Sequence, residues 1–220
     1  GTDGDGIYKK KLNGDVVKYY RADGKKGSLT DNAIICAYKD HSNTLWFGSY
    51  SQGLFRYDKE TDSFTNFIHK AGDPSSISLN DVRVILQDSK GNLWVGTNGG
   101  GLSMLPAGKD KFVNYNPQNS MLGSNNIRAL VEDKNGNLFI GTYSSGLKYY
   151  IRAQNKFVDY FNQSQIEKFL SSHVIYSLYL DDTGDLLIGT EGNGLVIYGI
   201  GNKMFKQYTE IDGLADNTIN

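Results

Sequence analysis

The chain has 220 residues, 39% of them hydrophobic and 12% aromatic, which is enough to bury a core and too apolar for a disordered segment. Its 23 basic and 24 acidic residues leave a formal net charge of −1, excluding a broad electrostatic attraction to nucleic acid or to an anionic membrane. No apolar run reaches the roughly 18 residues a membrane helix needs. No signal-peptide pattern opens at Gly1-Thr2-Asp3-Gly4, and we expect a chain trimmed at both ends.

Residues 6–21 predict two short strands, and from there the chain repeats itself. Gly6-Ile7, Gly53-Leu54, Gly101-Leu102, Gly146-Leu147 and Gly194-Leu195 follow one another at spacings of 47, 48, 45 and 48. Each of the last four is preceded by a second signature: Leu45-Trp46-Phe47-Gly48, Leu93-Trp94-Val95-Gly96, Leu138-Phe139-Ile140-Gly141 and Leu186-Leu187-Ile188-Gly189. Before that comes a turn, at 40–44, 88–92, 133–137 and 181–185. Its fourth residue is Asn43, Gly91, Gly136 or Gly184, the two residue types that best tolerate the left-handed backbone of a tight hairpin.

In the second full repeat the strand-like runs are Val82 to Gln87, Leu93 to Thr97, Gly101 to Leu105 and Lys111 to Tyr115. The one helical stretch is Gln163 to Leu170. Four antiparallel strands in about 45 residues make a propeller blade, whose two faces pack against neighbouring blades. The predicted fold is therefore all-β, a β-propeller of four-stranded antiparallel blades. We expect a partial blade at 1–29, blades at 30–76, 77–121, 122–171 and 172–210, and the first strand of another within 211–220, at Leu214 to Ile219. Either the ends meet in a small ring or blades outside this sequence complete a larger one, and we favour the second. Trp46, Trp94, Phe139 and Leu187 are expected between blades as core. Cys36, in the apolar run Ile34-Ile35-Cys36-Ala37, reads as an inert buried thiol.

Catalytic and metal chemistry find little support. The Asp133 to Asn137 turn lacks the glycine and carboxylate spacing of a calcium loop. Asn98-Gly99-Gly100-Gly101 is followed by neither Lys-Ser/Thr nor a helix, so it is no phosphate loop. His41, His69 and His173 lack metal-ligand spacing, and no cofactor is expected. Binding fares better, because propeller ligands meet loops that converge at one end of the blades. The loops between second and third strands carry Tyr50, Gln52, Asn98, Tyr143, Glu191 and Asn193; those leading into first strands carry Asp31, Asn32, Asn80, Asp81, Asn125, Asn126 and His173. Amides, carboxylates and phenols suit sugar hydroxyls and the apolar face of a pyranose. For any single one of them, turn capping is the commoner role. Arg83 and Arg128 share a place in two first strands where other blades have Ile35 and Tyr176. An ion pair between blades is the favoured reading for both arginines, and an acidic sugar the other.

The consensus resembles the two-component regulator propeller repeat. It runs Leu79-Asn80-Asp81-Val82, then 88–102, then Phe112-Val113-Asn114-Tyr115, and again Asn126-Ile127, 133–147 and Phe157-Val158-Asp159-Tyr160. The fourth blade departs with Leu186-Leu187-Ile188, and the first with Ser49-Tyr50-Ser51-Gln52. The resemblance implies part of the extracytoplasmic, periplasmic sensor region of a Bacteroides-type hybrid histidine kinase, in which paired seven-bladed propellers precede a membrane helix. It implies an oligosaccharide signal controlling polysaccharide-utilisation genes. The implied partners are further blades or a second propeller of the same protein and a homodimer mate, with no nucleic acid and no membrane contact by this segment. A protein-interaction scaffold is the alternative, and a carbohydrate-active lyase or hydrolase a weaker one.

Overall fold

The computed structural model describes residues 1–2, 4–11 and 14–220, which fall into two compact units, 1–114 and 115–220. In the first unit β1 (Ile7–Lys10) and β2 (Val16–Tyr20) form a two-stranded antiparallel sheet. Two four-stranded sheets follow. One is β3 (Ile34–Lys39), β4 (Leu45–Ser49), β5 (Leu54–Asp58) and β6 (Ser63–Phe67). The other is β7 (Val82–Gln87), β8 (Leu93–Thr97), β9 (Leu102–Leu105) and β10 (Val113–Tyr115), whose last residue, Tyr115, is the first of the second unit.

The second unit holds two more four-stranded sheets. They are β11 (Ile127–Glu132), β12 (Leu138–Thr142), β13 (Leu147–Ile151) and β14 (Lys156–Asp159), then β15 (Ile175–Leu180), β16 (Asp185–Thr190), β17 (Leu195–Gly199) and β18 (Met204–Tyr208). In all four sheets spatial order follows chain order, the antiparallel meander of a propeller blade. The helix forms as α1 (Gln163–Phe169), started by a capping box in which Asn162 and Gln165 exchange side-chain and backbone bonds. No strand forms over Leu214 to Ile219. A strand needs a continuous ladder with a partner, and this stretch makes isolated main-chain bonds instead, Leu214 N–H to Thr209 O, Gly194 N–H to Asn217 O and Ile219 N–H to Thr190 O.

The hairpin turns follow the residue types. Asn43 sits at φ +62° and Gly91 at φ +82°, each closing an Asp-x-x-x-x turn. Second strands are the most buried: every residue of β8 and β12 is buried. Trp46 packs with Leu54, Ile77, Val82 and Val95, filling the space between the first and second four-stranded sheets. Phe139 does the same with Ile175, Leu186 and Ile188 in the second unit. Trp94 is also fully buried, but Leu187 is only half-buried, since no four-stranded sheet follows β18 in this sequence to cover its face.

Glycine in the second strand has a steric reason. A Cβ on Gly48 would lie 2.5 Å from Val82 Cγ1 and 2.6 Å from Cys36 Sγ; on Gly141 it would lie 2.7 Å from Ile175 Cγ2. The first strand of the next blade therefore crosses where only hydrogen fits. Cys36 is half-buried there, and burial pushes its thiol up to about 12, far from any reactive thiolate.

Candidate functional site

At one end of every blade the second strand finishes in a buried hydroxyl. Ser49, Thr97, Thr142 and Thr190 donate to the carbonyls of Gly53, Gly101, Gly146 and Gly194, and each accepts a backbone N–H from its own loop. These loops are therefore held rigid. Their backbone also reaches the approach to the first strand: Tyr50, Asn98, Tyr143 and Glu191 donate N–H to the carbonyls of Ala33, Asp81, Asn126 and Val174 at 3.0, 2.9, 3.0 and 3.2 Å. The two predicted loop sets thus meet within each blade.

Several candidates are tied into this scaffold. Asn80 Oδ1 accepts His69 N–H at 2.7 Å while its carbonyl accepts Gly53 N–H at 2.9 Å. Asn193 Oδ1 accepts Ser172 N–H at 3.1 Å. His173 lies at φ +57° with its carbonyl taking Gly146 N–H, the position Asn80 holds in the first unit. Gln52 donates its backbone N–H to Ser49 Oγ, and Asn125 is half-buried beside Asn126.

In every blade the register of the first strand slips by one residue, between Ile34 and Cys36, Val82 and Val84, Ile127 and Ala129, and Ile175 and Ser177. The extra residues of these β-bulges are Ile35, Arg83, Arg128 and Tyr176. In the first unit Arg83 forms an ion pair with Asp81, Nε to Oδ1 2.6 Å and Nη2 to Oδ2 2.8 Å. Its guanidinium lies 5.4 Å from the ring of Tyr50, which is 57% exposed. Asn98 Nδ2 donates to the same carboxylate at 2.9 Å. The ion pair expected between blades is thus made within one. Asp81 stands two residues before Arg83, and the bulge brings the two side chains alongside, leaving the tyrosine as the interblade contact.

The second unit holds a related cluster. Arg128 lies 5.1 Å from the Tyr143 ring of its own blade, and Tyr143 meets Tyr176 edge to face at 6.3 Å. Tyr176 donates its hydroxyl to Glu191 Oε1 at 3.2 Å. Burial, then this bond to a carboxylate, holds the Tyr176 phenol above the ordinary tyrosine range. Tyr176 escaped sequence reasoning as a site residue. Its signal was the shared position with Arg83 and Arg128, which gains meaning only when the bulge is seen. A hollow of about 420 Å³ in the first unit lies away from these loops, lined by residues such as Ile7, Tyr8, Phe47 and Tyr57.

Residues 28–51, 76–99 and 121–144 each match the two component regulator propeller family. Three segments of the chain thus match that repeat. The propeller is similar, at 28% identity and a TM-score of 0.80, to the extracellular domain of a hybrid two-component system of B. thetaiotaomicron, over 99% of this chain and 27% of that one. A second such extracellular domain from the same organism is 20% identical, with a TM-score of 0.75, over 95% of this chain and 29% of the other, and shows the same fold. A histidine kinase of Formosa agariphila is 28% identical over 78 residues, 36% of this chain and 6% of that protein. The propeller segment thus spans about a quarter of the solved extracellular domains and a small part of the kinase. Among the described residues no helix is long and apolar enough to cross a membrane.

Proposed function

We propose that this propeller segment is part of the extracytoplasmic sensor region of a hybrid two-component histidine kinase and that it binds an oligosaccharide. The observation that carries the ligand reading is the pairing of an accessible tyrosine ring with a bulge-borne guanidinium in each unit, Tyr50 with Arg83 and Tyr143 with Arg128. A phenol face takes the apolar side of a pyranose, and the surrounding guanidinium, amide and carboxylate groups take its hydroxyls. The location that follows is the periplasm, and the signal would control genes for using the polysaccharide that releases it. Further blades, a second propeller and a homodimer mate are the partners this reading requires. We assign these residues no catalytic step.

The test is a thermal-shift screen of the complete extracytoplasmic region against defined oligosaccharides. A specific ligand at about 100 times its dissociation constant stabilises by roughly 2.7 kcal/mol, which moves the melting point by a few degrees. A reproducible shift with one glycan class supports the reading. Silence across a broad panel refutes it in favour of a protein-interaction scaffold.

A further inference from the structure

The residue before each bulge is Ile34, Val82, Ile127 or Ile175, with exposures of 6%, 0%, 0% and 0%. Packing therefore restricts that position to a β-branched aliphatic. The bulged residue one step later is buried in none of the four blades, and it ranges from isoleucine through arginine to tyrosine. A bulge takes one side chain out of the pleat and re-aims it, so its identity is released from the demands of the core. In the second unit both bulged residues are aimed at the rigid loop between second and third strands: Arg128 at Tyr143, and Tyr176 at Tyr143 and Glu191.

We propose that the bulged position is the specificity-determining position of these blades, and that Arg128 and Tyr176 select which pyranose oligosaccharide is held against Tyr143. The proposal rests on the glycan-binding reading and deepens it. Tyr143 supplies a stacking face that any pyranose satisfies, whereas the neighbouring guanidinium and phenol meet the ring substituents that distinguish one sugar from another. A guanidinium rewards a ring carboxylate with a charge-assisted, two-point bond, which places uronic acid oligosaccharides first among the candidates.

The experiment is calorimetric titration of the complete extracytoplasmic region with xylo-, cello- and galacturono-oligosaccharides, using wild type, Arg128→Ile, Arg128→Lys, Tyr176→Ile and Tyr143→Ala. Isoleucine is chosen because Ile35 already occupies this position. Arg128→Ile and Tyr176→Ile are expected to change the order of preference among the three classes by about tenfold or more, the scale of a single central contact. Arg128→Lys should keep part of any preference for the galacturonide, and Tyr143→Ala should weaken all classes together. An unchanged order in both isoleucine variants overturns the inference and leaves glycan binding standing. A wild-type region that binds none of the three classes defeats the glycan reading, and the inference with it. Ligand-free melting points more than about 5 °C below wild type in both isoleucine variants would mark the bulged residues as structural and also overturn it.

Discussion

Trp94 Nε1 donates to Asp88 Oδ2 at 2.8 Å, and both residues are fully buried. The other carboxylate oxygen of Asp88 accepts the backbone N–H groups of Lys90 and Asn92, so one side chain closes the hairpin turn and anchors the core indole of the following strand. Asp40 and Trp46 repeat the arrangement at 2.9 Å. Where the indole is replaced by Phe139, Tyr149 instead donates its hydroxyl to Asp133. Asp88→Ala leaves the indole and two backbone donors without this acceptor in a closed core, and we expect a loss of about 3 kcal/mol in urea unfolding. Asp181→Ala, opposite Leu187 with no N–H to satisfy, should cost distinctly less. Equal losses would show that the Asp–Trp bond contributes nothing beyond turn capping.

Gly141→Ala places a methyl 2.7 Å from Ile175 Cγ2 and 3.2 Å from Ala129 Cβ. Neither strand can retreat without opening the contact between blades, so unfolding should show a loss of about 1–3 kcal/mol. Gly201→Ala, with nothing within 4 Å of the added atom, is the control and should change stability by less than about 0.5 kcal/mol.

Most of the architecture was legible in the sequence because a repeat displays its constraints several times over. Gly91 and Asn43 at one turn position, or Trp46, Trp94 and Phe139 at one core position, separate what the fold demands from what it tolerates. The predicted strand limits Val82 to Gln87 and Leu93 to Thr97 are those observed. The site was legible only in part. Spacing located the loops, but a one-residue bulge leaves no mark in the repeat length, so the aim of Arg83, Arg128 and Tyr176 was hidden. The capping duties of Asn80 and Asn193 depend on the connections containing His69 and Ser172, which repeat alignment does not bring together.

Alkaline pH should unfold the second unit through its tyrosines. Burial pushes Tyr115 and Tyr160 up to about 12. The folded form therefore keeps these protons while the unfolded chain releases them near pH 10. Their contribution to stability is complete below about pH 10 and is lost as pH rises through 12. Ultraviolet titration should show a group of tyrosines that ionises only with loss of the β-sheet circular dichroism signal. Complete ionisation before that loss would contradict the assignment.

Asp62 ties β2 to the following blade, accepting Tyr20 and Tyr57 hydroxyls at 2.7 and 2.6 Å and pairing with Lys18. The lysine bond, then the two phenols, hold its carboxyl well below the ordinary aspartate range. This contribution is present above the unfolded carboxylate range near pH 4 and is lost as pH falls through the lower folded value. Asp62→Asn should speed amide exchange in β1 and β2 at neutral pH and leave β3 to β6 at the wild-type rate. An unaltered hairpin would show that apolar packing of Ile7 and Tyr20 alone holds it.

Hydrogen exchange on the complete extracytoplasmic region, with and without the oligosaccharide that gives the largest thermal shift, tests the binding account most directly. The account predicts ligand-dependent protection at the loops around 50–53, 96–101, 142–146 and 190–194 and at the bulges of β3, β7, β11 and β15. Protection confined to the opposite blade ends, or to segments outside these blades, would contradict it.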